Sequence, residues 1–150
     1  MEPRTVYTLE RLFEEVEEGV VQQEIGVAPG GLLTVMPGDK VRVTAQVDYM
    51  GGAINDVFYV AIGQRHPIIG FDEWWVAQVP ISLAASTTWK TYTLTADVQI
   101  PSTEKNTNLC DVYCKIKGHL EAGLPEYDGV IQVVGAPSFQ NFKITDYSKV

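Results

Sequence analysis

The chain is poor in basic residues. Lys and Arg number 11 against 19 Asp and Glu, a formal charge of −8. The few cations are scattered, with no Lys/Arg cluster. That balance argues against a nucleic-acid partner, whose phosphates must be neutralised by positive side chains. No apolar run approaches the roughly 20 residues of a membrane-spanning helix, so no membrane partner is expected. The opening Met-Glu-Pro-Arg has neither the basic region nor the apolar core of a secretion signal. The expectation is a cytoplasmic protein or a module excised from a longer extracellular or virion protein, and the sequence leaves both open.

Cysteine is scarce as well. Cys110 and Cys114 stand in Leu-Cys-Asp-Val-Tyr-Cys-Lys-Ile-Lys, where Cys110, Val112, Cys114 and Ile116 alternate with Asp111, Tyr113, Lys115 and Lys117. Four residues of strand span roughly 13 Å, too far for a disulfide. The two thiols are therefore expected as small buried hydrophobes. Zinc is a poor fit, since the spacing is wrong and no second Cys or His pair exists. No cofactor is implied.

Catalytic motifs are missing too. There is no Gly-x-Ser-x-Gly, no phosphate-cradling glycine loop and no His-Glu-x-x-His. Only His66 and His119 could act as bases near neutral pH. They fall in loops after strands separated by three reversals, which places them at opposite ends of an antiparallel stack. The expectation is a protein that is not an enzyme. Asp72-Glu73 and the group Glu121, Glu126 and Asp128 offer loop oxygens of the kind calcium takes, but no Asp-x-Asp-x-Asp spacing fixes a site. Solvated acidic loops are the plainer expectation.

What is present is strand grammar. In Lys40-Val-Arg-Val-Thr-Ala-Gln-Val-Asp-Tyr49, Val41, Val43, Ala45, Val47 and Tyr49 share one face and polar residues share the other. A period of two marks a half-buried antiparallel strand. Similar runs predict strands near 20–27, 54–64, 74–83, 89–100, 109–117, 130–135 and 139–147. Met36-Pro-Gly-Asp39 is a turn tetrad, and Gly51-Gly52 reads as a tight hairpin. With 150 residues, 45% of them hydrophobic, the chain can bury a core without metal or disulfide.

Residues 1–24 differ from the rest, with seven glutamates against two arginines. In Thr8–Gly19, Leu9, Leu12, Phe13 and Val16 form one helical stripe, with Thr8 as cap and Gly19 as stop. A short acidic amphipathic helix is thus expected over 1–19 and a sandwich domain over 20–150. The helix stripe either covers an edge of the sandwich or docks a partner chain. The adjacent Trp74 and Trp75 must point to opposite faces if they lie in a regular strand. The outward ring could stack on a sugar, with Tyr113, Tyr127 or Trp89 extending a platform, or pack against a sheet edge or a subunit.

Pro37-Gly-Asp-Lys-Val-Arg-Val-Thr-Ala-Gln-Val-Asp-Tyr-Met-Gly-Gly52, followed by Val57-Phe-Tyr-Val-Ala-Ile62, resembles the opening of immunoglobulin-like modules of the CARDB kind. Trp89–Pro101 and Cys110–Lys117 are similar to the middle strands of such modules. The resemblance covers roughly residues 37–117 and implies a non-catalytic module, often repeated in tandem in extracellular and virion proteins. Tyr49-Met50 replaces the usual asparagine before the hairpin glycine, and the acidic N-terminal helix has no counterpart there.

The expected fold is all-β, an immunoglobulin-like antiparallel β-sandwich with a short N-terminal α-helix, a jelly roll being the alternative topology. The expected function is a non-catalytic structural or protein–protein interaction module, partnering itself or neighbouring modules. Leu9, Leu12, Phe13, Val16, Trp74 and Trp75 are the candidate contact residues. The alternative is a carbohydrate-binding module using exposed aromatics.

Overall fold

The structure, a computed structural model, describes residues 30–105, 108–135 and 137–150. The helix expected over 8–19, with Leu9, Leu12, Phe13 and Val16, and the strand expected over 20–27 lie outside the described residues. Seven strands account for most of what is described. They are β1 (Leu33–Val35), β2 (Lys40–Gly51), β3 (Ile54–His66), β4 (Gly70–Leu83), β5 (Ser86–Gln99), β6 (Leu109–Ile116) and β7 (Glu126–Val133). A single 3-10 turn, Leu120–Ala122, separates β6 from β7.

The strands form two sheets, one of five strands in the order β1-β7-β6-β3-β4 and one of two, β2-β5. Every pairing is antiparallel except β1 with β7, which run parallel. Side chains from the two sheets meet in one core. β3 contributes Phe58, Val60 and Ile62, β6 contributes Cys110, Cys114 and Ile116, and β5 contributes Leu94, Ala96 and Val98. Phe58, Val60, Ile62, Val98, Ile100, Cys110 and Val133 are almost wholly excluded from solvent. Each large aliphatic or aromatic chain so buried contributes roughly 1.5–3 kcal/mol. The all-β sandwich expected from the alternation is therefore the observed architecture.

The Met36–Asp39 turn also forms as expected. Asp39 N donates to Met36 O at 3.0 Å, the Asp39 carboxylate accepts from Met36 N at 2.8 Å, and Gly38 takes φ +92°. It carries the chain from β1 in the large sheet to β2 in the small one.

Gly51-Gly52 does not close a hairpin. β2 pairs with β5 along Lys40↔Gln99 to Tyr49↔Lys90, while β3 pairs with β4 and β6. The glycines instead lead the chain from one sheet to the other, beside a bulge between Tyr49 and Gly51. The physical reason lies in the two runs themselves. β2 alternates cleanly and suits a sheet with one wet face, whereas Val57–Ile62 is continuously apolar and suits a strand flanked on both edges and shielded on both faces. Ala61, on the outer face of β3, is fully buried all the same.

The strand expected over 139–147 is absent. After Val134 N donates to Val35 O at 2.9 Å, residues 137–150 join no sheet. Asn141 in this segment takes a left-handed φ of 57°, which breaks the extended run that its alternation implied. β1, too short at three residues to show a period, was not expected.

Candidate functional site

The Trp pair sits where a strand irregularity puts it. Register along β3 and β4 runs to Ile62↔Trp75 and resumes at Gly63↔Glu73, so Trp74 is the extra residue of a β-bulge. A bulge suspends alternation, and both rings turn to the core. Trp75 is buried in it, and Trp74 packs against it partly exposed. The rings meet edge to face at 5.7 Å between centroids, and Trp74 Nε1 donates to Asp72 Oδ2 at 3.1 Å. The outward Trp required by strict alternation is thus not found. Trp89 is 68% exposed, but it belongs to β5 in the other sheet.

A different aromatic group occupies the outer face of the five-stranded sheet. Tyr59 of β3 lies opposite Lys115 of β6, and Ala61 lies opposite Tyr113. The hydroxyls of Tyr59 and Tyr113 both donate to the Glu73 carboxylate, one to each oxygen. Phe71 abuts the Tyr113 ring at 4.7 Å, edge to face. Lys115 Nζ stands 4.7 Å from the Tyr59 ring centroid and 5.9 Å from that of Tyr113. Arg65 reaches over Phe71 and pairs with Glu126, Nη2 to Oε1 at 2.5 Å.

Acidic partners set the electrostatics. Hydrogen bonding to Glu73, with burial added, pushes the Tyr59 phenol up to about 12. Burial first, then the same carboxylate, raises Tyr113 further. Both phenols therefore stay protonated across the physiological range and act as fixed donors rather than proton shuttles. Arg65 holds Glu126 below the usual carboxylate range. Asp128, hydrogen-bonded to Glu126, partly desolvated and facing the charges of Glu126 and Asp111, is pushed up to about 6. Asp111 accepts from Arg65 N and Gly129 N, both at 2.7 Å, and so ties the end of β3 to β7.

Of the acidic residues read as loop oxygens, Asp72 and Glu73 stand in β4 and Glu126 and Asp128 in β7, while Glu121 lies exposed in the 3-10 turn. Among the described residues, no three His, Cys, Asp or Glu side chains converge to hold a metal ion. His119 lies at the far end of β3 from His66. Its Nδ1 is 2.6 Å from Asp56 Oδ2. Burial opposes the charged form of Asp56, but His119 together with the N–H groups of Gly118 and Val57 outweighs it and holds the carboxyl below its ordinary range. Cys110 and Cys114 are free and buried in the core. Burial pushes the Cys110 thiol up to about 11 and raises Cys114 as well.

One open groove lies between the sheets beside β2. Ala45, Val47, Phe58, Leu94, Ile116 and Pro125 are among its lining residues. Its volume is only about 40 Å3, far below the range of small-molecule pockets and without their enclosure. Large exposed apolar residues lie elsewhere, Ile68 and Ile69 in the β3–β4 turn and several on the segment 137–150. Phe139 is 91% exposed, Phe142 99%, Ile144 85% and Tyr147 92%.

Tyr59, Phe71 and Lys115 were not reached from the sequence, and Glu73 was read only as a loop carboxylate. Glu73 lies 14 residues from Tyr59 and 40 from Tyr113, and no local spacing encodes a contact made across three strands. The usable signal is Tyr59 interrupting the apolar run of β3. The chain matches no known family model, and no curated protein or solved structure matches it either.

Proposed function

We propose that this chain is a non-catalytic, immunoglobulin-like structural module that works by protein–protein contact. Strand order supports the immunoglobulin-like assignment. The succession β7-β6-β3-β4 follows the order of the G, F, C and C′ strands of a variable-type sandwich, and β2-β5 corresponds to its B–E pair. The observation that carries the functional reading is the row of large apolar side chains on 137–150, which touches almost nothing in its own domain. Several large apolar side chains left in water within one short segment suit a contact site better than a free surface. Light scattering across a dilution series tests it, and a mass that rises with concentration is expected.

A second reading, carbohydrate recognition, is favoured by the Tyr59–Tyr113–Glu73 group. It sets two phenol rings beside a carboxylate on the outer face of the five-stranded sheet, Tyr59 half-buried and Tyr113 buried. It ranks second because the Lys115 ammonium already lies over both rings and would have to move before a sugar could stack. Tryptophan and tyrosine fluorescence against a glycan panel checks it. A saturable change abolished by Tyr59→Ala would promote this reading over the first.

A further inference from the structure

We propose that the loop 118–125 is a strap, latched by Asp56, that opens as a unit beside the groove between the sheets while the sandwich stays folded. This device is independent of the interaction-module reading. The loop leaves β6 and carries the 3-10 turn Leu120–Ala122. Ala122, Gly123 and Pro125 line the groove together with the buried core residues Phe58, Cys114 and Ile116. Side-chain burial does little to hold the loop in place. No residue from 117 to 125 is buried, and Leu120 and Leu124 stand in solvent. Segments with so few buried apolar contacts open at a lower free energy than the whole domain.

Polar contacts supply the hold instead, and they gather at the two ends. At the far end, Cys114 N donates to Pro125 O at 3.2 Å. At the near end, one carboxylate collects the chain. Gly118 N donates to Asp56 Oδ1 at 2.9 Å, and His119 Nδ1 stands 2.6 Å from Asp56 Oδ2. The Asp56 side chain is only 7% exposed, so these charge-assisted contacts are shielded from water. Val57 N also donates to Asp56 Oδ1, at 2.7 Å, and fixes the carboxylate to the backbone of β3. The fit is close, since a β-carbon at Gly118 would lie 2.8 Å from Asp56 Oδ2. Gly123, at φ +111°, supplies a hinge toward the other end. Releasing Asp56 therefore frees the strap without touching the β3–β6 ladder, which runs from Phe58↔Ile116 to Gly63↔Asp111. What the opening uncovers is the groove side of the core, with the Cys114 thiol in it.

The test is the rate at which Ellman's reagent labels each buried thiol of the full chain. Cys114 is read in a Cys110→Ala background and Cys110 in a Cys114→Ala background. Cys114 should label faster than Cys110, at a rate nearly independent of urea below the unfolding transition, because a local opening exposes little surface. Asp56→Ala should speed Cys114 labelling about tenfold or more, the effect of losing hydrogen bonds to a charged group. His119→Ala keeps the Gly118 contact and should speed it by less. It also decides the matter if Asp56→Ala does not fold. Val98→Ala, a fully buried change in β5 away from the strap, should speed Cys110 labelling and leave Cys114 unchanged. Two thiols that label at one rate with one urea dependence would overturn the proposal, since global unfolding would then be the route to both. Cys114 labelling that follows Val98→Ala, or that neither strap variant alters, would overturn it as well.

Discussion

At the residue scale, close approach and buried polar pairing make the sharpest demands. A β-carbon at Gly63 would sit 1.8 Å from the Asp72 carbonyl oxygen, across the bulge that frees Trp74. No side chain can yield there because the obstacle is backbone. Gly63→Ala should therefore cost roughly 3 kcal/mol or more, the upper end for overpacking, read as a lower urea midpoint at unchanged slope. Asp56 answers to His119, Gly118 and Val57 at once. Its folded-state pKa is depressed, so its stabilisation is fully present above about pH 4 and is lost as pH falls through the depressed value. Asp56→Ala should cost about 1–3 kcal/mol at neutral pH by orphaning those N–H groups, and it should flatten the acid limb of a stability profile. Asp128 has the opposite sign. Its folded value is raised to about 6, so its contribution is present below about pH 4 and is lost as pH rises through 6. Asp128→Asn should stabilise above pH 6 by less than about 1 kcal/mol, since the group is exposed and screened. A denaturation series from pH 4 to 8 reads both. The contacts of Asp56 with Gly118 and His119 were not legible in the sequence, because they join residues 62 and 63 positions apart; the free, buried cysteines were, because alternation alone sets their face.

At the scale of elements, period and turn chemistry carried far. β2, β3, β5 and β6 begin within three residues of where alternation places them, because clean alternation reports a single buried face. Partner choice was not so encoded. Gly51-Gly52 has hairpin chemistry yet leads from one sheet to the other, since the apolar run of β3 demands two flanking strands. The bulge was also invisible, as one extra residue leaves composition unchanged, and it redirects both Trp rings. Trp75→Ala should accordingly cost about 3–5 kcal/mol as a core deletion. Trp74→Ala should cost less, its ring being only partly covered. Thermal unfolding of the two variants would reveal the order, and equal small effects would contradict the placement of Trp75. The segment 137–150 shows the reverse error. Its alternation reads as a strand, but a strand needs a ladder partner, and 137–150 pairs with none of the described strands.

At the scale of the whole molecule, the described residues set five strands against two, and the large apolar side chains of 137–150 stand outside both sheets. The account therefore rests on association and not on a pocket, since the groove is unenclosed and the outer-face tyrosines are already engaged with Glu73 and Lys115. The most direct measurement is the mass of the full chain by light scattering over a hundredfold dilution, with and without 0.5 M salt. The account predicts a mass that climbs above 16.6 kDa with concentration, steeper in salt because copies carrying −8 each repel. A constant 16.6 kDa mass across the whole series would contradict it.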